Sequence, residues 1–322
     1  MNCAPVCIIT LNRYEHLQKC LDSLSNCTLS EYTDVYVAID FPPSDKYVDG
    51  WKKNIEFLDN YKNHRFKSLN IIKREVNYGI WNNPSNKPTN LKSLIQSVLK
   101  KYDRCIFSED DNIFAPCFLD YMNKGLELFK DDANVYSIGG YRFYYPIKYD
   151  TNNFIRQDVD YSPWGVGLWK DKIINSNIVN YKWFRRRLTL KKIISIKNTY
   201  GWGAICGMLS CSSKNDIKHL IDRHYWSYMN ITSKQQIIPT QTLVKNIGLD
   251  GSGETMKDAS GQEWCDDNLN PLSTEITFEF KGTGYEFFNE NRKIFIKGKY
   301  WQSNKMYMYK SVRKYVKFLI NI

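Results

Sequence analysis

The sequence lacks three features that would each point to a familiar class of protein. No apolar stretch approaches the roughly 18 residues that a membrane-spanning helix requires, so we expect no transmembrane segment. Residues 10–13, which follow the first apolar run, contain no glycine, and this argues against a nucleotidyltransferase with a glycine-rich phosphate loop. The N-terminus has no basic region followed by a long apolar region, so no secretory signal is predicted.

Cysteine is present, but not in the spacing of a zinc site or a disulfide framework. The nine cysteines are an odd number without paired-ligand spacing, and the chain has only four histidines. Cys206 and Cys211 could share a metal, but no second pair lies near them. We therefore expect reduced, mostly buried thiols and a cytoplasmic protein.

The formal net charge of +11 calls for an anionic partner or for well-solvated basic faces. Basic residues concentrate in 185–192 and from residue 293 to the end. In the last stretch, apolar residues with helical spacing would form one face of a helix, and the lysines and an arginine lie mostly outside that face. The apolar residues are Met308, Val312, Tyr315, Val316 and Leu319. Such a helix either binds an anionic membrane surface peripherally or packs on its own domain. Nucleic acid is not expected as a partner, since no recognition motif is present.

The strongest signal is an apolar run, residues 105–107, that ends on Ser108 and three consecutive carboxylates, Glu109, Asp110 and Asp111. The run reads as a buried strand. Adjacent carboxylates raise each other's pKa unless a cation shares them, and ligands bind beyond the carboxyl ends of strands in open α/β sheets. Oxygen ligands of this kind suit Mg²⁺ or Mn²⁺ bound together with the phosphates of a nucleotide. The alternative is a solvated acidic turn.

Strands and helices alternate along residues 5 to 130. Apolar β-rich runs at 6–10, 35–39 and 68–73 precede segments with helical periodicity, which also begins again at Phe114. This order predicts an α/β fold, Rossmann-like, with a mostly parallel sheet and helices on both faces. Right-handed crossovers then place one group of residues at a single edge, which suits a nucleoside diphosphate: Arg13, Asp40, Arg74, Asn77 and Asp111.

The order of several short motifs resembles that of GT-A fold glycosyltransferases. More narrowly, the chain is similar to bacterial family-2-like enzymes related to the Golgi N-acetylglucosaminyltransferase that initiates complex N-glycans. The match spans roughly residues 4 to 256, which implies a catalytic domain at 1–256 and a small C-terminal extension at 257–322. The motifs are residues 5–13, Asp40, Arg74-Glu75-x-Asn77-x-Gly79, residues 108–111, 136–141, 164–171 and 243–253.

The resemblance implies a role for each matching residue. Asp111 would be the direct ligand of Mn²⁺ or Mg²⁺, with Asp110 near the ribose or donor sugar and Glu109 supporting it. Arg13 and Asp40 would contact the base and ribose. Arg74, Asn77 and Gly79 would lie along the nucleotide, and Trp164 and Gly165 would lie under the transferred sugar. Asp250 and Ser252 would belong to a flexible loop that closes over the donor.

Several of these residues also have simpler interpretations. Arg13 could pair with an acidic neighbour at the start of a helix. Asp40, which precedes Pro42 and Pro43, could be a turn residue. Trp164 could belong to the apolar core. The residues alone leave these alternatives open.

The chain departs from the family where a catalytic base is expected. In the related enzymes an acidic residue stands just ahead of a tryptophan, but residues 198–204 contain no carboxylate. The substitutes are Asp160, Asp216 and Asp250, of which Asp250 is preferred because it adjoins the flexible loop. The phenol of Tyr200 is a poor base at neutral pH.

The resemblance implies inverting, metal-dependent transfer of a sugar from a nucleotide-diphosphate donor, with UDP favoured, to a glycan or lipid-linked glycan. A cytoplasmic enzyme of this kind would serve bacterial surface polysaccharide synthesis. The missing base supports an alternative, a catalytically degenerate protein that binds nucleotide sugar or glycan. In the C-terminal extension, alternating polarity predicts a strand that contains Ile276, Phe278 and Phe280.

Overall fold

A computed structural model describes residues 2–62, 64–79, 89–144, 153–158, 161–177, 183, 186–211, 221–253, 270–286, 310 and 313. The strands are β1 Val6–Thr10, β2 Asp34–Ile39, β3 Ser68–Lys73, β4 Arg104–Glu109, β5 Asn112–Phe114, β6 Val135–Gly139, β7 Phe154–Gln157, β8 Val166–Trp169, β9 Gln235–Pro239, β10 Val244–Asn246 and β11 Tyr285–Glu286. The helices are α1 Tyr14–Ser25, α2 Val48–Asn60, α3 Asn90–Val98, α4 Phe118–Leu128, α5 Lys170–Asn177, α6 Leu190–Cys211 and α7 Ile221–Thr232, with short 3₁₀ turns at Ser30–Tyr32 and Asp45–Tyr47.

Nine strands form one sheet in the order β11-β7-β9-β6-β8-β4-β1-β2-β3. The strands from β4 to β3 are parallel neighbours, and β8 joins β4 in the antiparallel direction. Beyond β8 the pairings alternate between antiparallel and parallel. The prediction of an α/β fold with a mostly parallel sheet is confirmed.

The central strands β1, β2, β4 and β6 are buried on both faces of the sheet, whereas the edge strand β3 is only half-buried. One apolar core packs α3, α6 and α7 against the sheet, and the other packs α1, α2 and α4 against its opposite face. The predicted inner face of α1 is buried, at Leu17, Cys20, Leu21 and Leu24. Seven described cysteines are buried, as predicted: Cys3, Cys7, Cys20, Cys27, Cys105, Cys117 and Cys206.

The segment after the acidic corner differs from the prediction. Helical spacing predicts a helix from Phe114, but residues 112–114 form β5, and α4 begins only at Phe118. A proline disfavours the helical conformation of the residue before it, so Pro116 keeps Ala115 out of a helix. β5 instead pairs in the antiparallel direction with β10. A second small sheet therefore follows the carboxylates directly.

Residues 270–286 pack on the rest of the described chain. Phe278 and Phe280 lie against the ring of Tyr121, with centroids 4.6 and 5.3 Å away. The Phe278 amide donates to Asp120 Oδ2 at 2.8 Å, and β11 joins the edge of the main sheet. The predicted strand at 276–280 does not form, because these aromatic side chains enter the core from an irregular segment.

Several predictions fall on parts of the chain outside the described residues. They include the residues of the basic helix other than 310 and 313, and two of the substitute bases, Asp160 and Asp216. Within the described residues, none of the helices combines the length and hydropathy needed to cross a bilayer.

Candidate functional site

The carboxyl ends of three neighbouring strands meet at one edge of the sheet. β1 lies between β2 and β4, and both pairings are parallel. The residues that follow these strands are therefore neighbours in space although they are far apart in sequence. They are Arg13 after β1, Asp40 after β2, and Asp110 and Asp111 after β4.

A buried cluster forms around the guanidinium of Arg13. Its Nη2 atom contacts Asp110 Oδ1, and lies 2.8 Å from Asp111 Oδ2. Asp110 also accepts a hydrogen bond from Thr10 Oγ1 at 2.7 Å, and Asn54 Nδ2 donates to Thr10 Oγ1 at 3.0 Å. The two aspartates are only 4% and 6% exposed. One cation thus holds two carboxylates that solvent barely reaches.

Asp111 is held from its other side by the turn after β10. Asn246 Nδ2 donates to Asp111 Oδ1 at 2.7 Å, and the Ile247 amide donates to the backbone oxygen of Asp111 at 2.8 Å. The Gly248 amide donates to Asn246 Oδ1 at 3.0 Å. A β-carbon on Gly248 would lie 2.0 Å from Asp111 Oδ2. Sequence reasoning did not identify Asn246 or Gly248 as site residues, although both lie inside the motif at 243–253.

The cluster carries an excess of negative charge. Burial raises the pKa of Asp111, as does the charge of Asp110, while Arg13 and Asn246 oppose the shift. Taken as ionised, the two carboxylates and Arg13 sum to a formal charge of −1. The described residues contain no group of three or more His, Cys, Asp or Glu side chains placed to hold a metal. The oxygens of Asp111 nevertheless suit a Mg²⁺ or Mn²⁺ ion that takes its other ligands from phosphates and water.

Asp40 organises the loop that follows β3. Its carboxylate accepts from the amides of Phe41, Tyr78 and Gly79 at 2.8–2.9 Å, and Asn77 Nδ2 lies 3.4 Å from it. Burial raises the pKa of Asp40, and the three amides act against this. Gly79 has φ of +70°, a conformation that glycine adopts without strain. Asp40, Asn77 and Gly79 thus form one hydrogen-bonded unit at the edge of the sheet.

Arg74 packs beside the loop that Asp40 organises. Its Nε donates to Asn90 Oδ1 at 2.9 Å, and its guanidinium lies 4.7 Å from the ring centroid of Tyr78. Asn90 in turn donates to the Ala38 carbonyl at 2.9 Å. Arg74 Nη2 is buried and has no hydrogen-bond partner among the described residues. Two of the predicted residues, Arg13 and Arg74, therefore lie in different clusters along the same edge.

Trp164 and Gly165 lie further along the sheet, before β8. The Trp164 ring meets Tyr141 edge-on with centroids 4.7 Å apart. Gly165 has φ of +66°, and its carbonyl accepts from the Gly140 amide at 2.7 Å. A β-carbon on Gly165 would approach Phe118 and Val244 to 2.8 Å. Trp164 is half-buried at the margin of the apolar core, so both its functional and its packing interpretations stand.

Asp250 and Ser252 form a turn that is attached to α1. Ser252 donates to Asp250 Oδ1 from its amide at 3.0 Å and from its hydroxyl at 2.6 Å. His16 Nε2 lies 3.1 Å from Asp250 Oδ2. The hydrogen bond from the Ser252 hydroxyl lowers the pKa of Asp250 to about 2.

Glu109, the last residue of β4, is half-buried, and its carbonyl accepts from Cys20 Sγ at 3.6 Å.

No family model and no curated protein matches the chain. Among solved structures it is similar to S. aureus TarS, with 11% identity and a TM-score of 0.42 over 77% of this chain and 37% of that chain. For S. aureus TarS 1-349 in complex with UDP-GlcNAc, the identity is 14% and the TM-score is 0.34, over 54% of this chain and 47% of that chain. For the mannosyltransferase PcManGT from Pyrobaculum calidifontis in complex with GDP-Man and Mn²⁺, the identity is 11% and the TM-score is 0.32, over 52% of this chain and 44% of that chain. The chain spans less than half the length of each of these three structures.

Proposed function

We propose that the chain is a GT-A-type glycosyltransferase that transfers a sugar from a nucleotide-diphosphate donor, UDP-linked by preference, to a glycan or lipid-linked glycan. One observation carries the proposal. Arg13, Asp110 and Asp111 form a buried, charge-imbalanced cluster beyond the carboxyl ends of parallel strands, which is where open α/β sheets bind ligands. Beside it, the loop fixed by Asp40 offers the ring of Tyr78 and the half-buried guanidinium of Arg74 for a base and ribose.

In this proposal Asp111 holds Mn²⁺ or Mg²⁺. The cation would neutralise the departing diphosphate of the donor. The chain's own residues do the rest of the positioning. Arg13, which contacts both Asp110 and Asp111, would position the donor together with Asp110. We assign Trp164 and Gly165 to the binding of the transferred sugar. The formal charge of the cluster becomes +1 with a divalent cation, which suits a diphosphate.

Asp250 remains our prediction for the general base of an inverting transfer. A base that works at neutral pH needs a pKa closer to 7 than the value of about 2 found in this arrangement. Its contacts with Ser252 and His16 would therefore have to break when the acceptor binds. The segment 198–204, where the related enzymes carry an acidic residue, lies in α6, which is kinked at Gly201.

The proposal is tested by calorimetry or thermal shift with UDP, GDP, CDP and TDP, each with and without Mn²⁺. We expect one nucleotide to stabilise the protein only with metal, by about 2.7 kcal/mol at a hundred times its dissociation constant. Asp111→Asn should abolish this stabilisation. Asp59→Asn, which changes an exposed aspartate, is the matched control and should preserve it. If none of the four nucleotides stabilises the wild type, the transferase proposal is wrong.

A second candidate is a degenerate protein that binds nucleotide sugar without transferring it. It is favoured by the absence of a carboxylate in 198–204 and by the engagement of Asp250 with Ser252. Measurement of nucleoside diphosphate released from the donor without acceptor separates the two candidates. Slow release that requires Asp111 supports the transferase, and donor binding without any release supports the binding protein.

The setting we propose is bacterial surface polysaccharide synthesis, with the protein in the cytoplasm or peripheral on the inner face of the membrane. The basic amphipathic pattern of the last residues supports the membrane part of this proposal, and the pathway rests on the family resemblance alone. Deletion of residues 305–322 should lower co-sedimentation with anionic vesicles while leaving nucleotide binding intact. Unchanged co-sedimentation would contradict the membrane part of the proposal.

A further inference from the structure

Both carboxylate oxygens of Asp111 have partners within the protein. Oδ2 lies 2.8 Å from Arg13 Nη2, and Oδ1 accepts from Asn246 Nδ2 at 2.7 Å. Gly248 closes the space beside Oδ2 so tightly that a β-carbon would not fit there. A metal ion that binds Asp111 must therefore share an oxygen with one of these groups or displace it.

The two partners of Asp111 differ in what a cation would do to them. Asn246 is neutral, and it is fixed by further hydrogen bonds to Asn112 Oδ1 at 3.1 Å and from the Gly248 amide at 3.0 Å. Arg13 is positive and stands at the end of a flexible side chain that is 19% exposed. Like charges repel strongly where little water screens them. Arg13 is thus the group that a divalent cation would drive out.

We propose that Arg13 is an exchangeable internal cation, which occupies the metal position in the free protein and moves to the diphosphate when the metal binds Asp111. This inference rests on the function proposed above and deepens it. Metal alone must displace Arg13 without offering it a new anion. Metal with nucleotide supplies that anion, because the diphosphate can accept the guanidinium. Metal and nucleotide therefore bind with mutual dependence, and Arg13 causes it.

The test is a titration with Mn²⁺ alone, followed by electron paramagnetic resonance, of the wild type, Arg13→Gln and Arg65→Gln. Arg65 is an exposed arginine bound to Ser25 and Asn26, so its variant removes one positive charge away from the cluster. We expect Arg13→Gln to bind Mn²⁺ at least tenfold more tightly than the wild type. Arg65→Gln should bind as the wild type does, and Arg13→Lys, which keeps the charge, should show less than half of the gain on a logarithmic scale.

The second arm repeats the titration with the nucleoside diphosphate that stabilises the wild type. The factor by which nucleotide tightens Mn²⁺ binding should fall at least tenfold in Arg13→Gln. Addition of Asp111→Asn to Arg13→Gln should remove the gained affinity, which locates the ion. Circular dichroism shows whether Arg13→Gln is folded, and Arg13→Met, which also removes the charge, carries the comparison if it is not.

Two outcomes would overturn the inference separately from the function. If the wild type binds Mn²⁺ with nucleotide but Arg13→Gln gains no affinity for Mn²⁺ alone, the site is real and Arg13 is no competitor. If the gained affinity survives Asp111→Asn, the ion binds elsewhere. Absence of Mn²⁺ binding to the wild type with any of the four nucleotides would instead defeat the metal-dependent function, and the inference with it.

Discussion

Replacement of Gly248 with alanine should weaken metal-dependent nucleotide binding about fivefold to 150-fold, with little loss of overall fold. The new β-carbon would lie 2.0 Å from Asp111 Oδ2 and 2.8 Å from Arg13 Nη1. Overpacking of this kind typically costs about 1–3 kcal/mol, and each 1.4 kcal/mol is about tenfold in affinity. Asp111 cannot move away freely, since Asn246 holds its other oxygen. Calorimetric titration of the nucleotide with Mn²⁺ measures the effect.

Gly282→Ala is the control for Gly248→Ala. Gly282 has φ of +60° and open space around its missing β-carbon, so alanine there strains the backbone without touching the site. It should lower stability slightly and leave nucleotide affinity unchanged. Equal affinity in Gly248→Ala and the wild type would show that the turn after β10 moves away from Asp111 in the bound state.

Asp40→Asn should lower the free energy of unfolding by about 2 kcal/mol, the value of a hydrogen bond to a charged group. The carboxylate accepts amide hydrogens on both of its oxygens, from Phe41 and Tyr78 on one and from Gly79 on the other. Asparagine must turn its NH₂ group toward one of these donors, which leaves a buried amide unsatisfied. Urea unfolding measures the loss, and amide hydrogen exchange should show faster opening of residues 77–79.

The control for Asp40→Asn is again Asp59→Asn, which removes an exposed pair with Lys73 and should cost no more than about 1 kcal/mol. The same experiment reports on function. If the Asp40 loop holds the base and ribose, nucleotide affinity falls together with loop protection. A loss of stability with unchanged nucleotide affinity would reduce Asp40 to the turn residue that its sequence context also allowed.

The sequence predicted the first half of the sheet well because its units are local. In α1 the apolar residues repeat with helical spacing, and β1, β2 and β4 are apolar runs that end at polar residues. Parallel pairing then follows from the alternation of strand and helix, and with it the proximity of Arg13, Asp40 and Asp111. These inferences required no knowledge of distant contacts.

The elements that sequence reasoning missed depend on distant contacts. β5 and β10 are three residues each, too short for a periodic signal, and they are strands only because they pair with each other. The apolar residues from Phe114 satisfied a helical pattern, whereas Pro116 decided the boundary. Asn246 and Gly248 gave no signal of their own, since nothing in their neighbours shows that they meet Asp111. Phe278 and Phe280 alternate with polar residues as in a strand, but their side chains pack into the apolar core from an irregular segment.

The hydrogen bond between Asn246 and Asp111 joins residues 135 positions apart. Closure of so long a loop carries an entropic cost that short-range pairing does not, so this contact belongs to the late part of chain assembly. A nascent chain that ends before β10 can already contain β1 to β4, but its Asp111 has Arg13 without Asn246. The site thus gains its second support only after residue 246 has been synthesised, and a chain that stops earlier lacks this support.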